Sequence, residues 1–397
     1  MSDLSFDAIV AGGGPVGWAC ALAAQVTLGR RARVAVVARE PSGPASLTST
    51  LSARVYTIAS GNLHWLTEQG VRFDLARSAV VTDIVVSGRD GQQSLRICAN
   101  DAGEAELARV LEHEALTHAI ALRAQALGVQ LISGTVAALH DLEQQKLIEL
   151  ADRRTLQARI LIAADGMQSV VRELAGVSAT VRPYPQHGVV AHLQCERPHH
   201  GVARQWFLPD GSILAMLPLP DVEDSAAVSM VWSVSDTRAD ELCALPATEW
   251  LDAVNAASQH GANVTRMISA AQQFPLTLVR VANPVATRLV VVGDAAHAVH
   301  PLAGQGVNLG LVDARALQDV WRQASLVGGD AGHALLLGRY RRQRFGPTLA
   351  MQLATDGLFR LYNQADHPWL MAAGDAGMRL LGRLPAFRRT LSTNARQ

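Results

Sequence analysis

Gly12-Gly13-Gly14-Pro15-Val16-Gly17 is a G-x-G-x-x-G run set between a short apolar strand, Phe6 to Val10, and an alanine-rich helix from Gly17 to Leu28. In such a turn Gly12 permits the tight bend, Gly14 lets a pyrophosphate approach the backbone, and Gly17 lets helix and strand pack closely. A second buried strand, Val34 to Val37, completes a β-α-β unit and predicts a dinucleotide-binding sheet at the start of the chain. The acid expected at the end of the second strand, where it would bind ribose hydroxyls, is replaced by Ala38. Glu40 is the candidate substitute, the competing reading being an exposed loop acid.

The chain has 397 residues, enough for two interlocked domains and a tail. Its 35 basic residues balance 35 acidic ones, so no net field draws it to nucleic acid. All the basic residues but Lys146 are arginine, which codon bias explains better than phosphate binding. Cys20, Cys98, Cys195 and Cys243 form no C-x-x-C pair, which excludes a zinc site and a disulfide frame as expectations and fits a reducing cytosol. The N-terminal MSDLSFDAIV lacks the plan of a secretory signal, and no run suits a bilayer span. The expected location is cytoplasmic, with a peripheral place on the inner membrane left open.

Farther along, Ser60 reads as the N-cap and Gly70 as the stop of a helix, and Leu107 to Leu127 as a longer helix closed by Gly128 before the strand Val129 to Ile132. From Pro183 to Gln273 short strands alternate with turns at Pro209-Asp210-Gly211 and Pro218-Leu219-Pro220-Asp221, which predicts a second, mainly antiparallel sheet. Leu289 to Val292 returns to the first texture, so the first domain is discontinuous. From Gly328 the chain reads as helical, with breaks at Pro347, Pro368 and Pro385. The fold class expected is α/β: a Rossmann-like domain of residues 1–75, 100–182 and 274–327, interleaved with a mainly antiparallel β-sheet substrate domain of residues 76–99 and 183–273, then a C-terminal helical segment of residues 328–397.

Two further motifs narrow the chemistry. An apolar strand ends on Ala164-Asp165-Gly166, followed by Ser169, Val171 and Arg172, giving A-D-G-x-x-S-x-V-R. A bare Asp-Gly is a turn; the extended form is not generic. The third run is Gly293-Asp294-Ala295-Ala296-His297, then His300-Pro301-Leu302-Ala303-Gly304-Gln305-Gly306-Val307-Asn308-Leu309-Gly310. The Asp294 carboxylate can accept hydrogen bonds from a ribityl chain. Gly304 and Gly306 leave backbone amides bare at a helix start, where they can stabilise anionic charge on a reduced flavin.

With these residues the chain resembles the flavoprotein hydroxylases of the para-hydroxybenzoate hydroxylase fold, in the ubiquinone-biosynthesis branch. The resemblance runs over roughly residues 5 to 345. It is carried by Gly293 through Asp313, by Trp206-Phe207-Leu208-Pro209-Asp210-Gly211, by Met216-Leu217-Pro218-Leu219-Pro220 and by Ser229-Met230-Val231-Trp232-Ser233. It implies a glutathione-reductase-type FAD-binding domain and an FAD-dependent monooxygenase that uses NADH or NADPH and O₂. Through a flavin C4a-hydroperoxide it would hydroxylate an aromatic ring, a polyprenyl phenol or quinol on the way to ubiquinone.

The same resemblance assigns Gly12, Gly13, Gly14, Pro15, Val16, Gly17, Glu40, Arg54, Val136, Asp165, Gly166, Asp294, Pro301, Gly304, Gln305, Gly306, Val307 and Asn308 to cofactor binding. Arg54 matches an arginine touching the flavin region, Val136 the position whose backbone faces adenine, and Pro301 the proline beside the reactive flavin edge, the latter with His300 a candidate for catalysis. Departures are Ser52, where the family has an acid, and Glu112-His113-Glu114 in place of an E-N-R-like triplet, which lacks the basic brace.

His300 is weighed for proton transfer against structural hydrogen bonding, with His297 beside it. Trp206, Phe207, Met216 and Trp232 are weighed as pocket walls against plain core, with one or two expected at a pocket. Trp369 to Arg389 mixes apolar residues with arginines and reads as a basic amphipathic helix, for membrane contact or for packing. Partners expected are the aromatic substrate and O₂, with a quinone-biosynthesis assembly and an oligomer left open. The rival readings are a flavin-dependent reductase of the same fold and a non-catalytic flavoprotein scaffold. The W-x-W-x-I-P run of tryptophan halogenases is missing.

Overall fold

The structure, a computed structural model, describes residues 4–39, 51–261, 263–300 and 306–363. The first β-α-β unit is β1 (Leu4–Ala11), α1 (Pro15–Leu28) and β2 (Val34–Ala38). Then come β3 (Val55–Ala59), α2 (Ser60–Glu68), β4 (Ser78–Val81), β5 (Asp83–Ser87), β6 (Gln93–Cys98), β7 (Ala108–Glu112) and α3 (His113–Ala126). Next are β8 (Gln130–Ser133), the hairpin β9 (Val136–Asp141) and β10 (Lys146–Leu150), β11 (Thr155–Ala163) and the short α4 (Val170–Leu174).

The second half opens on β12 (Thr180–Cys195), β13 (Val202–Phe207), β14 (Ile213–Val222) and β15 (Ser225–Val234). Helices α5 (Asp236–Ala244) and α6 (Ala247–Ala257) follow, then β16 (Val264–Met267), β17 (Gln272–Arg280), β18 (Val285–Ala286), β19 (Leu289–Val291) and β20 (His297–Ala298). The described chain ends with α7 (Gly306–Trp321) and α8 (Ala334–Asn363).

The first sheet runs β18-β19-β11-β1-β2-β8, with β1 parallel to both β2 and β11. Such strands are buried on both faces and read as apolar runs; Ile9, Val10, Val36 and Ile162 are fully buried. Helix α1 lies against α7, and the approach needs glycine: a Cβ on Gly310 would stand 2.4 Å from Val16 Cγ2. The second sheet runs β20-β17-β12-β15-β14-β13-β5-β6 and is antiparallel except where β13 pairs parallel with β5. A third sheet, β3-β7-β4, bridges the two.

Several expectations are corrected. The predicted helix Leu107 to Leu127 is a strand and then a helix, because Ala108–Glu112 pairs with β3 on one side and β4 on the other. The predicted turn at Pro218–Asp221 is strand. Pro218 pairs with Val228 of β15, while the pairing of β14 with β13 has already ended at Met216, so the missing proline N–H breaks no ladder on that side. The chain turns instead at Glu223 and Asp224, both with positive φ. Pro347 does not break α8, which runs on to Asn363. Ser60 is the first residue of α2, and its N-cap is Ala59. The remaining prolines, Pro368 and Pro385, and the stretch Trp369 to Arg389 lie outside the described residues.

Candidate flavin site

The turn after β1 carries Gly12 at φ 121°, where a Cβ would stand 2.1 Å from the carbonyl oxygen of Ala164. A Cβ on Gly17 would stand 2.0 Å from the Gly12 oxygen. Gly14 is different: a Cβ there meets nothing within 4 Å, so its side faces open space. Gly14 is also the N-cap of α1, with no side-chain cap and no acid in the first turn, and Pro15 follows inside the helix. The helix therefore presents its partial positive end and bare amides to that space.

Beside it lies a cavity of about 390 Å³, lined among others by Gly12, Gly13, Ala38, Arg39, Val136 and Asp165. A cavity of mixed lining next to an uncapped helix start fits the adenosine and pyrophosphate half of FAD. Ala38 stands on its wall without a carboxylate; Glu40 lies outside the described residues.

Asp165 and Gly166 sit at the end of β11, Gly166 at φ 87°. The Asp165 carboxylate accepts hydrogen bonds from the Ser169 hydroxyl and from the Val171 N–H, and Ser169 in turn caps α4 by accepting from Arg172 N–H at 2.9 Å. The buried Arg172 donates to the Ala295 carbonyl at 2.8 Å. The A-D-G-x-x-S-x-V-R run is thus a capped turn whose arginine fastens it to the Gly293–Ala295 loop.

That loop carries Asp294 to the start of α7: a Cβ on Gly306 would stand 3.7 Å from Asp294 Oδ1. Burial pushes the Asp294 carboxyl up, while Arg54 and His297 pull it the other way. Val307 packs into the core. The Asn308 side chain is committed to β3 and α2: it accepts from Ala59 N–H at 2.9 Å and Asn62 Nδ2 at 3.0 Å, and donates to the Thr57 carbonyl at 2.7 Å. Pro301, Gly304 and Gln305 lie outside the described residues.

Arg54 stands with its guanidinium 5.2 Å over the Tyr56 ring, and the Tyr56 hydroxyl lies 3.1 Å from His113 Nδ1. Burial and the Asp294 charge help push Tyr56 up to about 12 against the opposing pull of Arg54; burial and Arg54 push His113 down to about 4. Glu112, the first residue of the altered triplet, finds its basic partner elsewhere in sequence, in Arg77, and accepts the Ser52 N–H at 2.6 Å. Sequence reasoning missed that pair because its members stand 35 residues apart.

His300 is buried, 3.2 Å from Gln186 Oε1 and edge-on to Tyr184, and burial pushes it down to about 4. Of the four weighed pocket residues, Trp206, Met216 and Trp232 pack with Trp250 and Val254 of α6 on the far face of the second sheet. Phe207 alone falls on the other face, in a cluster with Tyr184 and Phe359. Strand alternation made them look alike.

A family model described as "FAD binding domain" matches residues 5–351. The mitochondrial ubiquinone biosynthesis monooxygenase COQ6 of Rattus norvegicus is 30% identical, over 97% of this chain and 91% of that protein. The ubiquinone hydroxylase UbiL of Rhodospirillum rubrum is 32% identical, over 94% of this chain and 85% of that one. Among solved structures, PqsL of Pseudomonas aeruginosa, a probable FAD-dependent monooxygenase, superposes with TM-score 0.75 at 22% identity, over 94% of this chain and 100% of that one. The p-nitrophenol 4-monooxygenase PnpA of Pseudomonas putida gives 0.76 at 18% over 99% and 98%; likenesses this distant speak for the fold. A glycine turn with room for a pyrophosphate, an adenosine-sized cavity and a match spanning most of the sequence agree: the chain belongs to the FAD-dependent aromatic hydroxylases, in the branch of the ubiquinone-biosynthesis monooxygenases.

Proposed function

We propose that this enzyme hydroxylates a polyprenyl phenol or quinol in ubiquinone biosynthesis, taking its electrons from NADH or NADPH. The observation that carries the reading is the open face of Gly14 at the uncapped start of α1 beside the adenosine-sized cavity, in a chain whose relatives bear ubiquinone-biosynthesis names. FAD, when bound, supplies the two-electron chemistry and the activation of O₂. Gly12 to Gly17, Glu40, Val136, Asp165 and Gly166 would hold its adenosine and pyrophosphate, and Arg54, Asp294, Pro301, Gly304, Gln305 and the start of α7 at Gly306, Val307 and Asn308 its other half.

The protein's own tasks are to fix the ring, to stabilise negative charge at its pyrimidine edge with helix-start amides, and to exclude water. His300, buried and held neutral, serves that site as a hydrogen-bonding residue. This reading divides the chain into a flavin part (residues 1–75, 100–182 and 274–327), a substrate part (76–99 and 183–273) and a helical tail from 328. β17 and β20 fall largely or wholly in the first part by number yet lie in the β12 sheet, where the two parts meet.

Purified protein should be yellow or take up FAD, and a polyprenyl phenol should stimulate NAD(P)H oxidation with one oxygen added to its ring by mass spectrometry. A protein that cannot be reconstituted with FAD rejects the proposal.

A further inference from the structure

His192 on β12 and Ser229 on β15 are direct cross-strand partners, both fully buried. Their neighbours Val189, Ala191 and Leu193, and Val228 and Met230, point to the α5 and α6 side. By alternation His192 and Ser229 point to the opposite face, the one that carries Tyr184 and Phe207 and meets the Leu51–Ala59 segment.

The His192 Nε2 lies 2.7 Å from the Ser52 carbonyl oxygen, which can only accept, so Nε2 bears the hydrogen and Nδ1 of the neutral ring is a bare acceptor. Burial, the largest influence on this ring, favours the neutral form. Among the described residues neither His192 Nδ1 nor the Ser229 hydroxyl has a hydrogen-bond partner. The facing wall repeats the pattern. Val55 of β3 packs against Ala227 and its cluster, and Thr57, two residues on along the same face, also has a buried hydroxyl without a partner. Each buried polar atom left unpaired costs roughly 1–3 kcal/mol, so native proteins fill such places with an oxygen from a ligand or a water.

We propose that His192 and Ser229 form the subsite that recognises the phenolic hydroxyl of the aromatic substrate: His192 Nδ1 accepts its hydrogen and the Ser229 hydroxyl donates to its oxygen. The inference rests on the hydroxylase reading above and names its specificity element. A bare acceptor beside a hydroxyl suits a ligand O–H and leaves an ether without a hydrogen to give.

The test uses holoenzyme with 2-allylphenol and its O-methyl ether, reading binding from the absorbance of the bound flavin and by equilibrium dialysis, with thermal melts in parallel. Ser229→Ala deletes only an unpaired hydroxyl. His192→Gln keeps a donor for Ser52 while moving the acceptor away from the Nδ1 position, onto the amide oxygen. Wild type should prefer the phenol, and each variant should lose roughly fivefold of that preference. Ser229→Ala should melt no lower than wild type. A Ser229→Ala protein that melts lower and keeps the full preference points to an internal water and overturns the subsite. Wild type that binds both compounds equally overturns it as well and leaves the hydroxylase reading standing. Wild type that binds neither sinks both.

Discussion

Asp313 Oδ2 accepts the backbone N–H of Gly293 at 2.9 Å, so the helix α7 holds the loop that presents Asp294. The same carboxylate is 2.6 Å from His297 Nε2 and 2.7 Å from Arg344 Nε, all three side chains being buried. Burial alone would raise the Asp313 carboxyl, but His297 and Arg344 outweigh it and hold it down at about 2. Asp313→Asn should destabilise the protein by about 3 kcal/mol, because Arg344 is left buried without its counter-charge. Urea unfolding measures the loss, and faster FAD release from the variant should accompany it. An unchanged midpoint refutes the argument.

Two glycines three residues apart should fail in different ways. Gly14→Ala places its Cβ in open space, so the ligand-free protein should unfold as wild type does while FAD affinity drops by at least tenfold. Gly17→Ala drives its Cβ into the Gly12 oxygen and should cost about 2 kcal/mol of stability or more before any ligand is added. Urea titration of the two flavin-free proteins, beside fluorescence titration with FAD, separates them. Equal stability losses would show that the space beside Gly14 is not the ligand's.

The glycine turns and the Asp165-Gly166 and Gly293-Asp294 loops were legible because local sequence specifies them: glycine at Gly12 is required by a positive φ and a backbone in contact. Ala108–Glu112 was not. Alanine, arginine, leucine and glutamate favour helix, and only pairing with β3 and β4 makes the stretch a strand. Glu112 looked like half of a broken motif, since its partner Arg77 comes from a distant turn. His192 and Ser229 carry no motif of their own; residues from Leu51 to Val55, far off in sequence, bury that face, and no local pattern announces it.

Acid should weaken the fold in two windows. His300 and His113 are pushed down to about 4 by burial, from an unfolded value near 6.5. The unfolded chain then binds more protons below pH 6.5, so their contribution is complete above that value and declines until about pH 4. Asp313 acts lower: its depressed carboxyl contributes above its unfolded value and loses that contribution as pH falls toward about 2. Urea midpoints measured from pH 7 to pH 3 should therefore fall already between 6.5 and 4. His300→Gln should remove about one proton from the slope in the upper window. If wild type and variant show the same slope there, the buried imidazole is not what titrates.

Ala38 stands on the wall of the cavity beside the Gly12–Gly14 turn, at the end of β2, where a carboxylate would reach the ribose hydroxyls of the proposed FAD, and its neighbour Arg39 offers no acceptor. Charge-assisted hydrogen bonds to such hydroxyls contribute about 1.5–3 kcal/mol, so Ala38→Glu should tighten FAD by roughly tenfold or more. Ala38 is only half-buried at the end of β2, so the flavin-free protein should keep its unfolding midpoint. Dialysis of reconstituted holoenzyme followed by the yellow absorbance gives the affinity ratio. A ratio of one would mean that an acid beyond the end of β2, of which Glu40 is the candidate, already holds the ribose, and Glu40→Ala should then weaken FAD by the same factor.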